Sequence, residues 1–315
     1  MTAACFILSI AALAAAAEAP EAMQHARASY EHAKRGDLAS AAAEMRVAIK
    51  LAPENPLYVS ALGGIAARQW QAGALLQARE NALLVADAQT ASAKAQEMLE
   101  EISLDLGAEL AKQRRFKAGV ALAQDTARRF PASARAQQML GLFLTRNQQN
   151  PAAVEAYRKA LSLSPESSDI NVGLGIAQTM AGSLPEAART LEAGTRKWPA
   201  DAMHFQAYGV LLLRMAEQGS AAGEQGPEML RKALALDPSL SEAHYQLGNL
   251  AITRGEPGEA IEHLLAALRN GDQGSKVHFA LARAYRAAGK SQESEKHAVL
   301  FREHKRREQQ AESKQ

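Results

Sequence analysis

Eight histidines are the residues best suited to chemistry in this 315-residue chain, because an imidazole can ligate a metal or move a proton near neutral pH. Two pairs, His25/His32 and His297/His304, are each seven residues apart, which on a helix puts both members on one face, two turns apart. That is too far for two ligands of one ion unless the helix bends, and no HExxH motif accompanies them. His244 and His278 recur at equivalent places in the repeat described below, where an imidazole fills a slot between helices. Adjacent carboxylates such as Glu100-Glu101 read as solvated helix faces. The chain has no GxxxxGK[ST] and no GxSxG, and no GxGxxG follows a strand. Its single cysteine, Cys5, lies in an N-terminal apolar segment, so a chain without that segment has no disulfide, no thiolate ligand and no thiol nucleophile. No catalytic, cofactor-binding or metal-binding residues are expected, and no cofactor.

What the residues do specify is helices at a fixed interval. Alanine is abundant, β-branched runs are absent and aromatics make up 5% of the chain, a composition that favours helix over strand. Gly107, Gly141, Gly175 and Gly209 are 34 residues apart, and Pro131, Pro165 and Pro199 follow the first three at 24 residues. Gly119, Ala153 and Ala187 keep the same interval. Three registers locked to one period mark a repeat array. In one unit, residues 168–201, Leu174 to Ala177 build a first helix and Gly182 ends it where a left-handed residue is needed. Ser183 is placed as N-cap and Pro185 as first-turn proline of a second helix. Ala187, Leu191 and Gly194 give that helix an apolar stripe, and Pro199 stops it. Small Gly175 and Ala187 are expected to face each other across the pair. One such hairpin cannot bury both of its faces, so it must stack on neighbours.

This pattern resembles the tetratricopeptide repeat, with its small residue at position 8, glycine near 15, alanine at 20 and proline at 32. The units read as 22–55, 56–92, 100–133, 134–167, 168–201, 202–240, 241–274 and 275–308, with a basic C-terminal helix over 296–315. Position 8 is Ser29, Gly63, Gly107, Gly141, Gly175, Gly209, Gly248 and Ala282. The resemblance implies an all-α, right-handed solenoid of about eight helix hairpins over nearly the whole chain. Departures are extra residues before Gly73, a further gap before the third unit that implies a long helix, and a glycine-rich insertion at 215–226.

In this family the first helix of each unit lines a concave groove through positions 2, 5, 9, 12 and 13. By resemblance the groove here includes Gln138, Leu142, Arg146, Val172, Ile176, Gln206, Val210, Arg214, Tyr245, Asn249, Phe279, Arg283 and Arg286. Asn249 stands where the family often uses asparagine to hold a peptide backbone, which suits a side chain that both donates and accepts. Position 13 is basic in Lys34, Arg68, Lys112, Arg146 and Arg214. Such a ladder would suit an acidic peptide, but a cation in the last turn of a helix is also favoured by about 0.3–1 kcal/mol. Arg283 and Arg286 are not explained by a helix end alone, so an acidic or C-terminal carboxylate segment is the expected ligand.

Charges nearly cancel, 36 Lys+Arg against 34 Asp+Glu, and a nucleic-acid partner is not expected. The run Lys296 to Arg307 reads as a solvated capping helix. Residues 5–17 form an apolar run of 13, too short to span a bilayer and suited to a signal-peptide core. Ala15-Ala16-Ala17 offers small residues for cleavage, giving a signal over 1–17 and a mature chain from Glu18, although no Lys or Arg precedes the run. The expectation is an exported scaffold or assembly factor, bacterial periplasmic or secreted, not an enzyme, with no stable membrane span once the signal is removed. The alternatives are an accessory subunit of a cell-envelope enzyme, secretion or polysaccharide-export machine, and a cytosolic scaffold.

Overall fold

A computed structural model describes residues 20–90, 92–220, 224–271 and 274–312. The proposed signal at 1–17 lies outside these residues. Among them are sixteen α-helices and no strand, an all-α solenoid built from helix hairpins. Two units divide the chain at Pro131.

The first unit holds three hairpins: α1 (Pro20–Lys34) with α2 (Leu38–Leu51), α3 (Pro56–Gln71) with α4 (Leu75–Ala88), and α5 (Ala93–Lys112) with α6 (Phe116–Arg129). Extra residues at Gly73 and before the third repeat are absorbed by lengthening helices, so α3 has 16 residues and α5 has 20. Tyr58, Leu62, Ile65, Leu99 and Ile102 are fully buried among small alanines. Burying each aliphatic side chain of this kind stabilises by about 1.5–3 kcal/mol.

The second unit holds five hairpins: α7 (Ala134–Arg146) with α8 (Asn150–Leu163), α9 (Ser168–Met180) with α10 (Leu184–Lys197), α11 (Ala202–Glu217) with α12 (Gly226–Leu236), α13 (Ser241–Arg254) with α14 (Pro257–Arg269), and α15 (Ser275–Ala287) with α16 (Ser291–Glu312). The basic segment after Lys296 is the distal part of α16, not a helix of its own. The glycine-rich stretch is partly helix, since α11 continues to Glu217 and α12 begins at Gly226.

Each hairpin turns through one residue of positive φ: Gly36, Gly73, Arg114, Gln148, Gly182, Gly219, Gly255 and Gly289. Gly182 ends α9 as its sequence position predicts, at φ +82°. Ser183 occupies the N-cap of α10, but its side chain makes no capping bond. Arg114 and Gln148 show that the left-handed corner forms even where glycine is missing, against a steric cost of about 1–2 kcal/mol.

Close packing within hairpins follows one rule in the second unit. A Cβ on Gly141 would lie 2.7 Å from the Tyr157 ring, and one on Gly248 would lie 2.7 Å from Leu264 Cγ. Gly175 meets Leu191 and Gly209 meets Leu230 in the same way. The partner of position 8 is thus the large side chain at position 24. Gly175 therefore packs first on Leu191, one turn beyond the Ala187 expected from sequence. The last repeat solves the same contact differently, with Ala282 at position 8 and Ala298 at position 24. Serines tighten the two terminal hairpins: Ser29 Oγ donates to the Ala41 carbonyl at 2.7 Å, and Ser294 Oγ to the Ala282 carbonyl at 2.8 Å.

Candidate functional site

Successive first helices of the second unit touch one another, α7 to α9, α9 to α11, α11 to α13 and α13 to α15. They form one continuous layer, and the thirteen residues expected to line a groove are all carried by these helices. The structure divides those residues into committed and available groups.

Gln206 and Arg214 are committed. Gln206 Oε1 accepts from the Ala243 N–H at 3.2 Å, and Arg214 Nη1 donates to the Thr179 carbonyl at 2.9 Å. The same bond recurs in the first unit, where Arg68 Nη2 donates to the Ala33 carbonyl at 2.9 Å. In both cases the position-13 arginine reaches 35 residues back, to the last turn of the preceding first helix. Each of these carbonyls already accepts from the N–H of the turn glycine, Gly36 or Gly182, at 3.2 Å, and gains a charged donor besides. Two rungs of the basic ladder are therefore seams between repeats, and Lys112 adds a loose pair to Glu109 at 3.8 Å. Val172 is buried and Val210 packs on the Leu230–Ala243–Leu247 cluster, which removes both from the face.

Gln138, Arg146, Asn249 and Arg286 have no side-chain hydrogen bond or ion pair among the described residues. Leu142 and Ile176, one repeat apart at position 9, are both 37% exposed, and Met180 and Met203 on α9 and α11 are exposed as well. Large apolar side chains at that exposure on consecutive helices make a surface that gains from being covered. Sequence reasoning did not single out the two methionines, although they stand at positions 13 and 2. Toward α15 the face becomes aromatic and cationic. Lys276 Nζ lies 4.4 Å from the Tyr245 ring centroid and 2.8 Å from Glu242 Oε2. The Arg283 guanidinium lies 5.9 Å from the ring of Phe279, which is 49% exposed and leans on Phe301 at 5.2 Å. Lys276 was not anticipated, though position 2 marks it.

A second polar cluster unites Ser168, Asp201 and His204, residue types that elsewhere perform nucleophilic catalysis. Here Ser168 Oγ donates straight to Asp201 Oδ2. The His204 ring is wholly buried, stacked on Trp198 with centroids 5.0 Å apart, in space left by Gly194. Its Nε2 faces Asn171 Oδ1 at 3.2 Å and its Nδ1 faces Asp201 at 3.3 Å. Burial pushes the imidazole below its ordinary pKa, with Asp201 pulling the other way. Both ring nitrogens are engaged and no substrate can reach them, so the cluster acts as a lock between α9, α10 and α11. In the first unit an open cleft of about 600 Å³ lies between α4, α5 and α6, with Arg79 at its wall bonded to Ser103 and Asp125. Among the described residues no group of three or more His, Cys, Asp or Glu side chains is placed to hold a metal ion, and no helix is long and apolar enough to cross a membrane.

Two sequence models of the tetratricopeptide repeat match the chain, one over residues 144–208 and one over 104–168, 224–275 and 245–299. No curated protein sequence matches it. Among solved structures, a tetratricopeptide repeat protein from Parabacteroides merdae ATCC 43184 superposes with a TM-score of 0.52 at 18% identity, covering 84% of this chain and 99% of that one. PilW, a type IV pilus biogenesis factor, gives 0.51 at 17% identity over 64% of this chain and 92% of its own. IFIT1 carrying m7Gppp-AAAA gives 0.56 at 18% identity over 88% and 68%. At these identities the likeness is one of fold. With a 34-residue period, hairpins closed by a left-handed corner, and matches over the greater part of its length, the chain belongs to the tetratricopeptide repeat family.

Proposed function

We propose that the protein is a non-catalytic binding scaffold or assembly factor that takes a protein or peptide segment on the first-helix face of residues 132–315. Tetratricopeptide proteins bind proteins or peptides, and the likeness to a pilus biogenesis factor suits an assembly role. One observation carries the reading: exposed Leu142, Ile176, Met180 and Met203 lead along touching helices to the uncommitted Asn249 and Arg286 and to Arg283 beside the Phe279 ring. The ligand's apolar residues lie over the first four. Its acidic side chain or C-terminal carboxylate lies at the arginines, while Asn249 holds its backbone. The repeats are rigid beforehand, so the partner bears most of the ordering cost. Residues 1–17 act as the export signal, which places the scaffold in the periplasm.

Charge-assisted hydrogen bonds to a carboxylate contribute about 1.5–3 kcal/mol each. The test is fluorescence polarisation against a library of peptides with an apolar stretch and an acidic C-terminus. The double change Arg283→Ala, Arg286→Ala should weaken the best binder at least tenfold and flatten its salt dependence, with helicity intact. An affinity that survives this change but falls on removing Lys34 and Arg68 refutes the assignment. Tighter binding of an RNA oligonucleotide than of any peptide refutes the ligand class.

A further inference from the structure

One slot between the two helices of a hairpin is filled by histidine in three repeats. His25 on α1 faces Glu44 on α2, with Nδ1 2.6 Å from Oε2. His244 on α13 faces His263 on α14, with the two Nδ1 atoms 2.9 Å apart. His278 on α15 faces His297 on α16, again Nδ1 to Nδ1, at 3.1 Å. Each pair is separated by 19 residues, so the three are one structural position with different occupants.

A hydrogen bond between two imidazole nitrogens needs one of them protonated and the other bare. We infer that the His244–His263 and His278–His297 pairs form an acid-sensitive clasp that holds the last two hairpins closed at neutral pH and releases them on acidification. The first pair shows how the protons are placed. His244 Nε2 lies 3.2 Å from the Pro238 carbonyl, an acceptor only, so His244 carries its proton there and its Nδ1 is bare. His263 Nδ1 then donates to it. A third proton fits on His263 Nε2, 3.9 Å from Glu259 Oε1, and breaks nothing. A fourth can go only between the facing nitrogens, where it severs the bond and sets two imidazolium rings 5.2 Å apart. The charged groups acting on the pair are Glu259 and Glu262 on α14 and Arg231 on α12.

The second pair is deeper. His278 is 7% and His297 is 9% exposed. His304 on α16 stands 4.9 Å from the His278 ring, Tyr285 on α15 stacks at 5.4 Å on His297, and Lys296 adds a positive charge. Burial lowers the proton affinity of both His263 and His297, with His244 and Lys296 respectively acting in the same direction. A histidine whose folded pKa is depressed contributes stability that is present above its unfolded pKa, near 6.5, and is lost as pH falls through the folded value. If a folded pair rejects one proton that the opened chain accepts, opening at pH 5 is favoured about thirty-fold per pair. At the His25–Glu44 pair the facing group is a carboxylate, so no second imidazole ring stands against the first.

Hydrogen exchange of the full chain at pH 7.5 and pH 5.0, corrected for intrinsic rates, reads this directly. Amides of α13 to α16 should lose protection by about thirty-fold or more at pH 5.0, while those of α1 and α2 do not. The double change His263→Gln, His297→Gln should abolish the pH difference, since an amide donates to a bare nitrogen and accepts from a protonated one. Unchanged protection in the wild type, or a loss that persists in the double variant, overturns the clasp. Should that variant fold poorly, nitrogen NMR of the wild-type imidazoles decides. Bare Nδ1 on one ring of each pair at pH 7.5 is expected, and all four Nδ1 atoms protonated at pH 5.0 with α13 to α16 still protected refutes it.

Discussion

Gly141→Ala adds a single methyl group, and its cost can be worked from the structure. The new Cβ would stand 2.7, 2.7 and 2.9 Å from three atoms of the Tyr157 ring. Unstrained carbons approach to about 3.5 Å, so the ring would have to retreat by about 0.8 Å. It has nowhere to go, because its other edge abuts Gly173 of the next repeat, where a Cβ would lie 2.7 Å from Cζ and 3.0 Å from the hydroxyl. The ring is 5% exposed, and burial pushes its phenol up to about 12. Overpacking of this kind costs about 1–3 kcal/mol, and alanine returns up to about 1 kcal/mol of helix propensity. The net expectation is a loss of about 1–2 kcal/mol, or a Tm lowered by roughly 2–8 °C for a unit of this size. The control is Gly258→Ala in α14, where a Cβ meets nothing within 4 Å and the Tm should hold or rise. Thermal melts of the full chain followed by circular dichroism at 222 nm compare them. Equal midpoints for the two variants would show that the packing rule relating positions 8 and 24 is wrong.

Removing a seam arginine should be equally visible. Arg214→Ala strips the Thr179 carbonyl of its charged donor and should cost about 1.5–3 kcal/mol, read as a lower urea midpoint with unchanged slope; an unchanged midpoint rejects the seam role. Protein recovered from a bacterial host should begin at Glu18, and an intact mass that retains residues 1–17 overturns export.

The repeat was legible because it is a one-dimensional signal. Glycines at 34-residue intervals and prolines 24 residues later need no knowledge of rotation about a helix axis. Contacts across a hairpin were harder to read, since they depend on how far the turn rotates one helix against the other. That is why Gly175 was matched to Ala187 instead of Leu191, and why Val172 was placed on the surface when it is 5% exposed. The slot filled by His244 and His278 was legible, but their partners His263 and His297 were not, for the same reason. Their 19-residue spacing has meaning only after α13 has folded back on α14 and α15 on α16. The basic ladder was half legible. A last-turn cation was foreseen, but its acceptor on the previous repeat, 35 residues away, was not.

Tyr157 carries a consequence for how such a gene can change. Its ring occupies room vacated by two glycines, Gly141 in its own repeat and Gly173 in the following one. The fourth and fifth repeats are therefore matched neighbours, not interchangeable modules. Excising residues 168–201 in frame would preserve the 34-residue period, yet it would bring Ala207 to the place of Gly173 and set a methyl group against the ring. Recombination at this seam is restricted to partners that offer glycine at the sixth position, so the array can lengthen or shorten more freely elsewhere than here.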